Sequence, residues 1–188
     1  MRCLTVLFAA ALPAAVVVSP AAVDAQVPDA TVESVEVLGS GRMEVPEVFE
    51  SVPPKSRIIR HEFRVPADAG EGDDTARLTM MAAGGNVRAN IDRWKGQFSG
   101  EDADNAKTEQ MTVGDYTVHL VDISGTYADS MGGGPFSGGK KVQRPDYAMT
   151  AAIIVDDNDR KYFAKMVGPE GVVESHREAF VEMIKSLQ

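Results

Sequence analysis

The sequence has one cysteine, Cys3, which lies close to the amino terminus. A single cysteine forms no disulfide within the chain, and a mature chain that has lost it has no thiol nucleophile and no thiolate metal ligand. The fold must therefore be held together by its core. The 188 residues suffice for one domain that buries such a core.

Histidine is also scarce, with His61, His119 and His176 alone in the chain. No two of them stand four residues apart on a predicted helix, and there is no HExxH motif, so the pattern does not indicate a zinc site. Each histidine lies among apolar residues, which is typical of a core or boundary position. His119, for example, shares a strand face with Val121 and Ile123.

Other motifs of known chemistry are incomplete. The stretch 134–141 (GPFSGGKK) lacks the hydroxyl residue of a phosphate-binding loop and is followed by Arg144-Pro145 rather than a helix. The acidic clusters at 71–74, 101–104 and 156–159 do not fit the twelve-residue calcium loop. No G-x-S-x-G is present. The sequence thus predicts no catalytic residue, no metal and no cofactor.

Only one long apolar run is present, and it lies at the amino terminus. Arg2 precedes it, residues 4–18 form it, and Val23-Asp24-Ala25 follows as a cleavage site. This order predicts a signal peptide over residues 1–25 and export to the periplasm or the medium. No later segment approaches the length of a membrane span, so the mature chain is expected to have none.

Acidic residues outnumber basic ones, and the formal net charge is −9. Removal of Arg2 and Asp24 with the signal peptide leaves that value unchanged. An acidic chain disfavours nucleic acid and anionic lipid as partners.

The strongest periodic signal lies in residues 84–98. Val87, Ile91, Trp94 and Phe98 recur at steps of four, three and four, which is one face of a helix. Asn86 is placed to cap that helix. The stripe is what a helix needs to cover a sheet, and Trp94 is the only tryptophan.

Around this helix the sequence predicts an α+β domain with a central antiparallel sheet of about six strands flanked by two main helices. Residues 26–52 are expected to form an irregular lead-in, because prolines interrupt them, and 53–188 the single domain. The expected strands are 56–65, 77–83, 108–113, 116–127, 147–155 and 161–167, and the final helix follows Gly168-Pro169.

Four residues are candidates for binding a ligand or partner. Arg93 adjoins Trp94, and Arg144 precedes Pro145-Asp146-Tyr147, so that a cation and an aromatic ring occur together in each place. His119 lies on a predicted strand. The candidate set is Arg93, His119, Arg144 and Tyr147.

Two segments together resemble a family of small uncharacterised exported bacterial proteins. They are Asn90–Phe98 after a strand and Gly84-Gly85, and Tyr162–Pro169 followed by a helix with Phe180, Met183 and Ser186-Leu187. The element order more distantly resembles the PsbP-like α/β/α sandwich. The resemblance implies architecture and a binding or accessory role, and it transfers no activity residues.

The function expected from these observations is that of an exported, non-enzymatic binding or accessory module of the cell envelope, with a protein or small molecule as partner. One alternative is an envelope hydrolase whose site is assembled only in three dimensions, in which His119 or His61 would meet a carboxylate. A second is a subunit that pairs through a strand edge at 31–38 or 108–113. A binding module would instead present an apolar groove or patch.

Overall fold

A computed structural model of the chain describes residues 33–68, 74–130 and 141–188, and Thr31–Gln188 form one compact unit. The strands in these residues are β1 (Glu33–Val37), β2 (Gly41–Val45), β3 (Glu50–Val52), β4 (His61–Pro66), β5 (Thr75–Ala83), β6 (Phe98–Ser99), β7 (Lys107–Val113), β8 (Tyr116–Ser130), β9 (Lys141–Val155) and β10 (Lys161–Pro169). The helices are α1 (Val87–Lys95), α2 (Glu101–Asp104), α3 (Glu170–Ser175) and α4 (Arg177–Lys185).

The main sheet of the described chain has eight strands in the order β3-β4-β5-β10-β9-β8-β6, with β7 also paired to β8, and each of these pairs is antiparallel. The α+β prediction is confirmed. The expected number of about six strands is wrong, because β3 and β6 were not predicted. These strands have three and two residues, which is too short for a period-two pattern to appear.

Alternate residues of the central strands enter two separate cores, one on each side of the sheet. In β10, Phe163 belongs to one core, whereas Tyr162 and Ala164 belong to the other. We call the first side the α1 face, because Ile91 and Trp94 of α1 pack on it. The opposite side is the α4 face, which α3, α4 and the strands β1 and β2 cover.

The segment 26–52, expected to be irregular, is regular in its described part. Strands β1 and β2 pair as a hairpin whose turn uses positive φ at Leu38 (55°) and Gly39 (86°). Prolines exclude a long helix here, but a strand that ends before Pro46 keeps all its donors. The hairpin is bound to the carboxyl-terminal residues, since Arg42 and Gln188 exchange two backbone hydrogen bonds of 3.0 Å.

Other boundaries shift by a few residues. Strand β4 begins at His61 rather than Ser56, because residues 55–60 form turns in which the Ile59 N–H donates to the Ser56 carbonyl. The final helix is divided at His176, whose backbone (φ −100°, ψ 4°) separates α3 from α4. Helix α2 is one turn at the acidic cluster 101–104, where the sequence predicts no helix.

Two predictions fall outside the described residues. They are the signal peptide at 1–25 and the glycine-rich strand connection that the composition predicts at 131–139. Where the structure describes the chain, none of its helices has the length and apolar character that crossing a membrane requires.

Tyr162 offers a test of the α4-face core. Its side chain is 3% exposed and its hydroxyl has no hydrogen-bond partner among the described residues, and burial raises the pKa of this phenol to about 12. An unpartnered buried hydroxyl is destabilising. We therefore expect Tyr162→Phe to raise the free energy of unfolding by about 1 kcal/mol in urea denaturation. Tyr147→Phe, at a partly exposed ring, is the control, and a Tyr162→Phe variant less stable than wild type would contradict the prediction.

Candidate functional site

Lys165 lies in the middle of a central strand of the sheet. Lys165 lies in β10, which pairs with both β5 and β9, and its side chain is partly buried on the α1 face between Phe163 and Val167. Its ammonium group donates a 2.8 Å hydrogen bond to Oε1 of Gln97 and lies 5.5 Å from the ring centroid of Tyr127. Among the residues that the structure describes, no carboxylate lies within ion-pair distance of it.

The surroundings of this lysine are cationic. Burial, and after it the guanidinium groups of Arg93 and Arg77, lower the pKa of Lys165 to about 8, against the weaker opposing effect of Asp129. Desolvation and like charges both favour the neutral amine over the ammonium ion. An anion bound here would raise the pKa of Lys165 again. The charges at the site therefore favour a negative group, although the chain as a whole is acidic.

Two tyrosines form the aromatic side of the site. The rings of Tyr127 and Tyr147 are parallel (2°) with centroids 6.2 Å apart, and Phe98 packs against Tyr127 at 5.0 Å. Burial and the nearby Asp129 raise the pKa of Tyr127. Both rings are only partly buried.

An irregularity in β9 adds an arginine. Gly125 of β8 is opposite Tyr147, whereas Tyr127 is opposite Arg144, so β9 has one extra residue in this interval. Asp146 takes a positive φ of 54° here. Because residues directly opposite each other share a sheet face, the bulge brings Arg144 to the α1 face beside Tyr127. Nε of Arg144 lies 3.6 Å from Oδ2 of Asp129.

These residues define what we call the Lys165 site. It consists of Arg77, Arg93, Gln97, Tyr127, Arg144, Tyr147 and Lys165.

Three of the four binding residues expected from the sequence lie at this site. Arg93 is exposed on α1, and its Nη2 donates to Oδ1 of Asn90 at 2.9 Å. Arg144 and Tyr147 lie in β9, on the α1 face of the sheet. His119 shares the face but precedes Tyr127 by eight residues on β8, which is about 26 Å. His119 is therefore not part of the site, and burial lowers its pKa.

The sequence prediction missed Lys165, Gln97, Arg77 and Tyr127. One signal for Lys165 was available, because it is the charged residue in the middle of the apolar run KYFAKMVGP. A charge in a strand with both faces covered is rare unless it is paired or functional. Nothing in the sequence indicated Gln97, whose contact depends on how α1 lies on the sheet.

The clefts found among the described residues lie elsewhere, and two of them bear on the expected functions. The first, of about 620 Å³, contains Asp122, which accepts bonds of 2.8 Å from both Arg177 Nη2 and Thr150 Oγ1. Because both carboxylate oxygens are engaged, this group connects α4 to the sheet. The second, of about 820 Å³, lies beside Ile58, which is 69% exposed and is the sole large hydrophobic side chain found exposed in the described ranges. The apolar patch expected of a binding module is therefore not seen there.

The histidines do not form the arrangement that the hydrolase alternative requires. Burial, and then Arg60, lower the pKa of His61, and its Nε2 has no hydrogen-bond partner in the described chain. Among described residues, the single approach of a histidine to a carboxylate within ion-pair distance is His176 Nε2 to Asp68 Oδ1, at 3.7 Å. His176 is buried, and its Nδ1 lies 3.0 Å from the Val172 carbonyl oxygen, so it has a structural role.

Comparison with known proteins gives a similarity of structure. No family model matches the sequence, and no curated protein matches it. The structure is similar to the solution structure of cyanobacterial PsbP (CyanoP) from Synechocystis sp. PCC 6803, with a TM-score of 0.48 and 12% sequence identity, over 90% of this chain and 99% of that chain. A similarity of this degree does not extend to ligands or partners. Membership of a family of small exported bacterial proteins stays a prediction.

Proposed function

We propose that this chain is an exported, non-enzymatic binding or accessory module of the cell envelope, and that it binds an anionic group of its partner at the Lys165 site. Export is supported by the signal-peptide pattern of residues 1–25. A PsbP-like α/β/α arrangement is supported by the antiparallel sheet with helices on both faces.

One observation carries the binding proposal. Lys165 and Arg93 each donate to the neutral amide of a side chain, that of Gln97 at 2.8 Å and that of Asn90 at 2.9 Å. Within the described residues, neither has a carboxylate at ion-pair distance. Arg77 differs from these two, because Glu62 already pairs with it. Two cations without a carboxylate beside them repel each other, and a bound anion relieves that repulsion. The partly exposed Tyr127 and Tyr147 add ring surface beside that anion.

The experiment is a titration of ¹³C-lysine-labelled protein with pyridoxine 5′-phosphate, a ring-bearing phosphate ester, at constant ionic strength. We expect a saturable shift of the Lys165 Cε resonance with a dissociation constant of about 1 mM or lower, and a higher pKa of Lys165 in the complex. No shift at Lys165 up to 20 times that concentration would refute the proposal.

A matched pair of variants locates the binding. Arg93→Ala should weaken binding about fivefold, since it removes one cation next to the anion. Arg88→Ala removes the same charge from the same helix at a side chain that is 86% exposed, and should have little effect. Equal weakening by both variants would indicate a general effect of net charge rather than a site.

A further inference from the structure

Lys165 differs chemically from the exposed lysines of this chain. It is partly buried in the centre of the sheet, and its hydrogen-bond acceptor is the neutral amide of Gln97 rather than a carboxylate. Lys161 in the same strand, by contrast, pairs with Asp159 at 2.7 Å. A lysine that lacks a counter-ion and lies near another cation is one of the recognised forms of activated amine nucleophile.

The lowered pKa of Lys165 is consistent with its lack of a counter-ion. With its pKa lowered to about 8, Lys165 is uncharged in about one molecule in ten at pH 7, whereas an ordinary lysine is uncharged in about one in several thousand. The hydrogen bond to Gln97 persists in both states, because a neutral amine still has N–H donors.

We propose that Lys165 forms a reversible Schiff base with small anionic aldehydes, whose negative group is held by Arg93. This inference rests on the proposed anion-binding function of the Lys165 site and adds the substrate class. The site would then capture its ligand covalently and return it unchanged by hydrolysis.

The chemistry needs no oxidant or metal. The Nζ lone pair of the neutral amine attacks the carbonyl carbon, a C–N bond forms, and the carbonyl oxygen takes a proton. The resulting carbinolamine loses that oxygen as water when the C=N bond forms, so an amine and an aldehyde give an imine and one water molecule. No residue is oxidised or reduced.

Pyridoxal 5′-phosphate is a suitable probe, because it differs from pyridoxine 5′-phosphate by having an aldehyde in place of an alcohol. The protein is incubated with it at pH 7.5 and treated with borohydride, which reduces the imine to a stable secondary amine, and the labelled lysines are identified by peptide mass spectrometry. We expect labelling at Lys165 to exceed that at the exposed Lys107 by about 10-fold or more. Labelling of Lys165 at or below the level of Lys107 would overturn the inference.

Variants keep the test independent of folding. Arg93→Ala should reduce labelling of Lys165 about fivefold and Arg88→Ala should not. Both arginines are exposed, and an unchanged circular dichroism spectrum verifies that each variant is folded. Equal labelling of Lys165 in the two variants would count against the assigned role of Arg93.

Pyridoxine 5′-phosphate tests anion binding and pyridoxal 5′-phosphate tests Schiff base formation, so the two claims can fail separately. If pyridoxine 5′-phosphate shifts the Lys165 resonance but the aldehyde leaves no adduct, the Schiff base is refuted and the anion-binding function stands. If neither compound acts at Lys165, both are refuted. Binding of the alcohol together with preferential labelling by the aldehyde supports both.

Discussion

Replacement of Trp94 by alanine is expected to lower the free energy of unfolding by about 3–5 kcal/mol, the range found when a buried aromatic side chain is truncated. Trp94 is 3% exposed and packs edge-on against Phe163 of β10, with ring centroids 5.1 Å apart and an interplanar angle of 75°. It packs α1 on the sheet. The helix that carries Arg93 and leads into Gln97 depends on it.

The measurement is urea denaturation followed by far-ultraviolet circular dichroism, because this variant has no tryptophan fluorescence. Ile58→Ala is the control, since Ile58 is 69% exposed and its truncation should change stability by no more than about 0.5 kcal/mol. A Trp94→Ala variant as stable as wild type would mean that the indole lies at the surface. It would then become a candidate for ligand contact.

Arg77→Met is expected to lower the free energy of unfolding by about 2–3 kcal/mol at pH 7. Arg77 donates two hydrogen bonds, of 2.7 and 3.0 Å, to the carboxylate of Glu62, whose side chain is 2% exposed. Without the arginine, the buried carboxylate keeps a single hydrogen bond, from the Lys55 N–H. The expected loss is below the usual range for buried pairs, because the Arg77 side chain is itself 42% exposed.

Two comparisons test this explanation. Arg64→Met removes the same charge from the exposed pair Arg64–Glu50 and should cost about 0–1 kcal/mol. The hydrogen bonds from Arg77 hold the pKa of Glu62 below its ordinary value of 4.5, so their contribution is complete above that pH and is lost as the pH falls through the lower value. The difference between wild type and Arg77→Met should therefore shrink below about pH 4.5. A constant difference would contradict the ionic explanation.

The parts of the fold that follow from side-chain periodicity could be predicted. The stripe of Ile91 and Trp94 indicated a sheet-covering helix, and both residues are buried on the sheet. Strand β10, predicted as 161–167, is observed over Lys161–Pro169. The predictions failed for elements that are short or that depend on contacts with distant parts of the chain. Strand β3 has too few residues to show a pattern, and β2 is stabilised by residues near the opposite end of the chain.

The candidate site shows the same limit. The sequence indicated Arg93, Arg144 and Tyr147 because cations and aromatic rings are neighbours there. Neighbours in the sequence, however, do not show which face of a strand a side chain occupies. The bulge in β9 decides that Arg144 shares the face of Tyr127. It could not be located without the register of β8 against β9, and the same is true of the distance that separates His119 from the site.

The pairing of the amino-terminal hairpin with the carboxyl terminus has a consequence for biosynthesis. The N–H of Glu44 donates to the hydroxyl of Ser186, 142 residues later in the chain. At ribosomal rates of about 5–20 residues per second, the apolar side of the hairpin waits roughly 7–28 s for its partner to be made. Until then Val35, Val37 and Met43 have no helix to cover them. During synthesis, the apolar side of the hairpin therefore needs another cover until α4 is made. The finished protein has no such need.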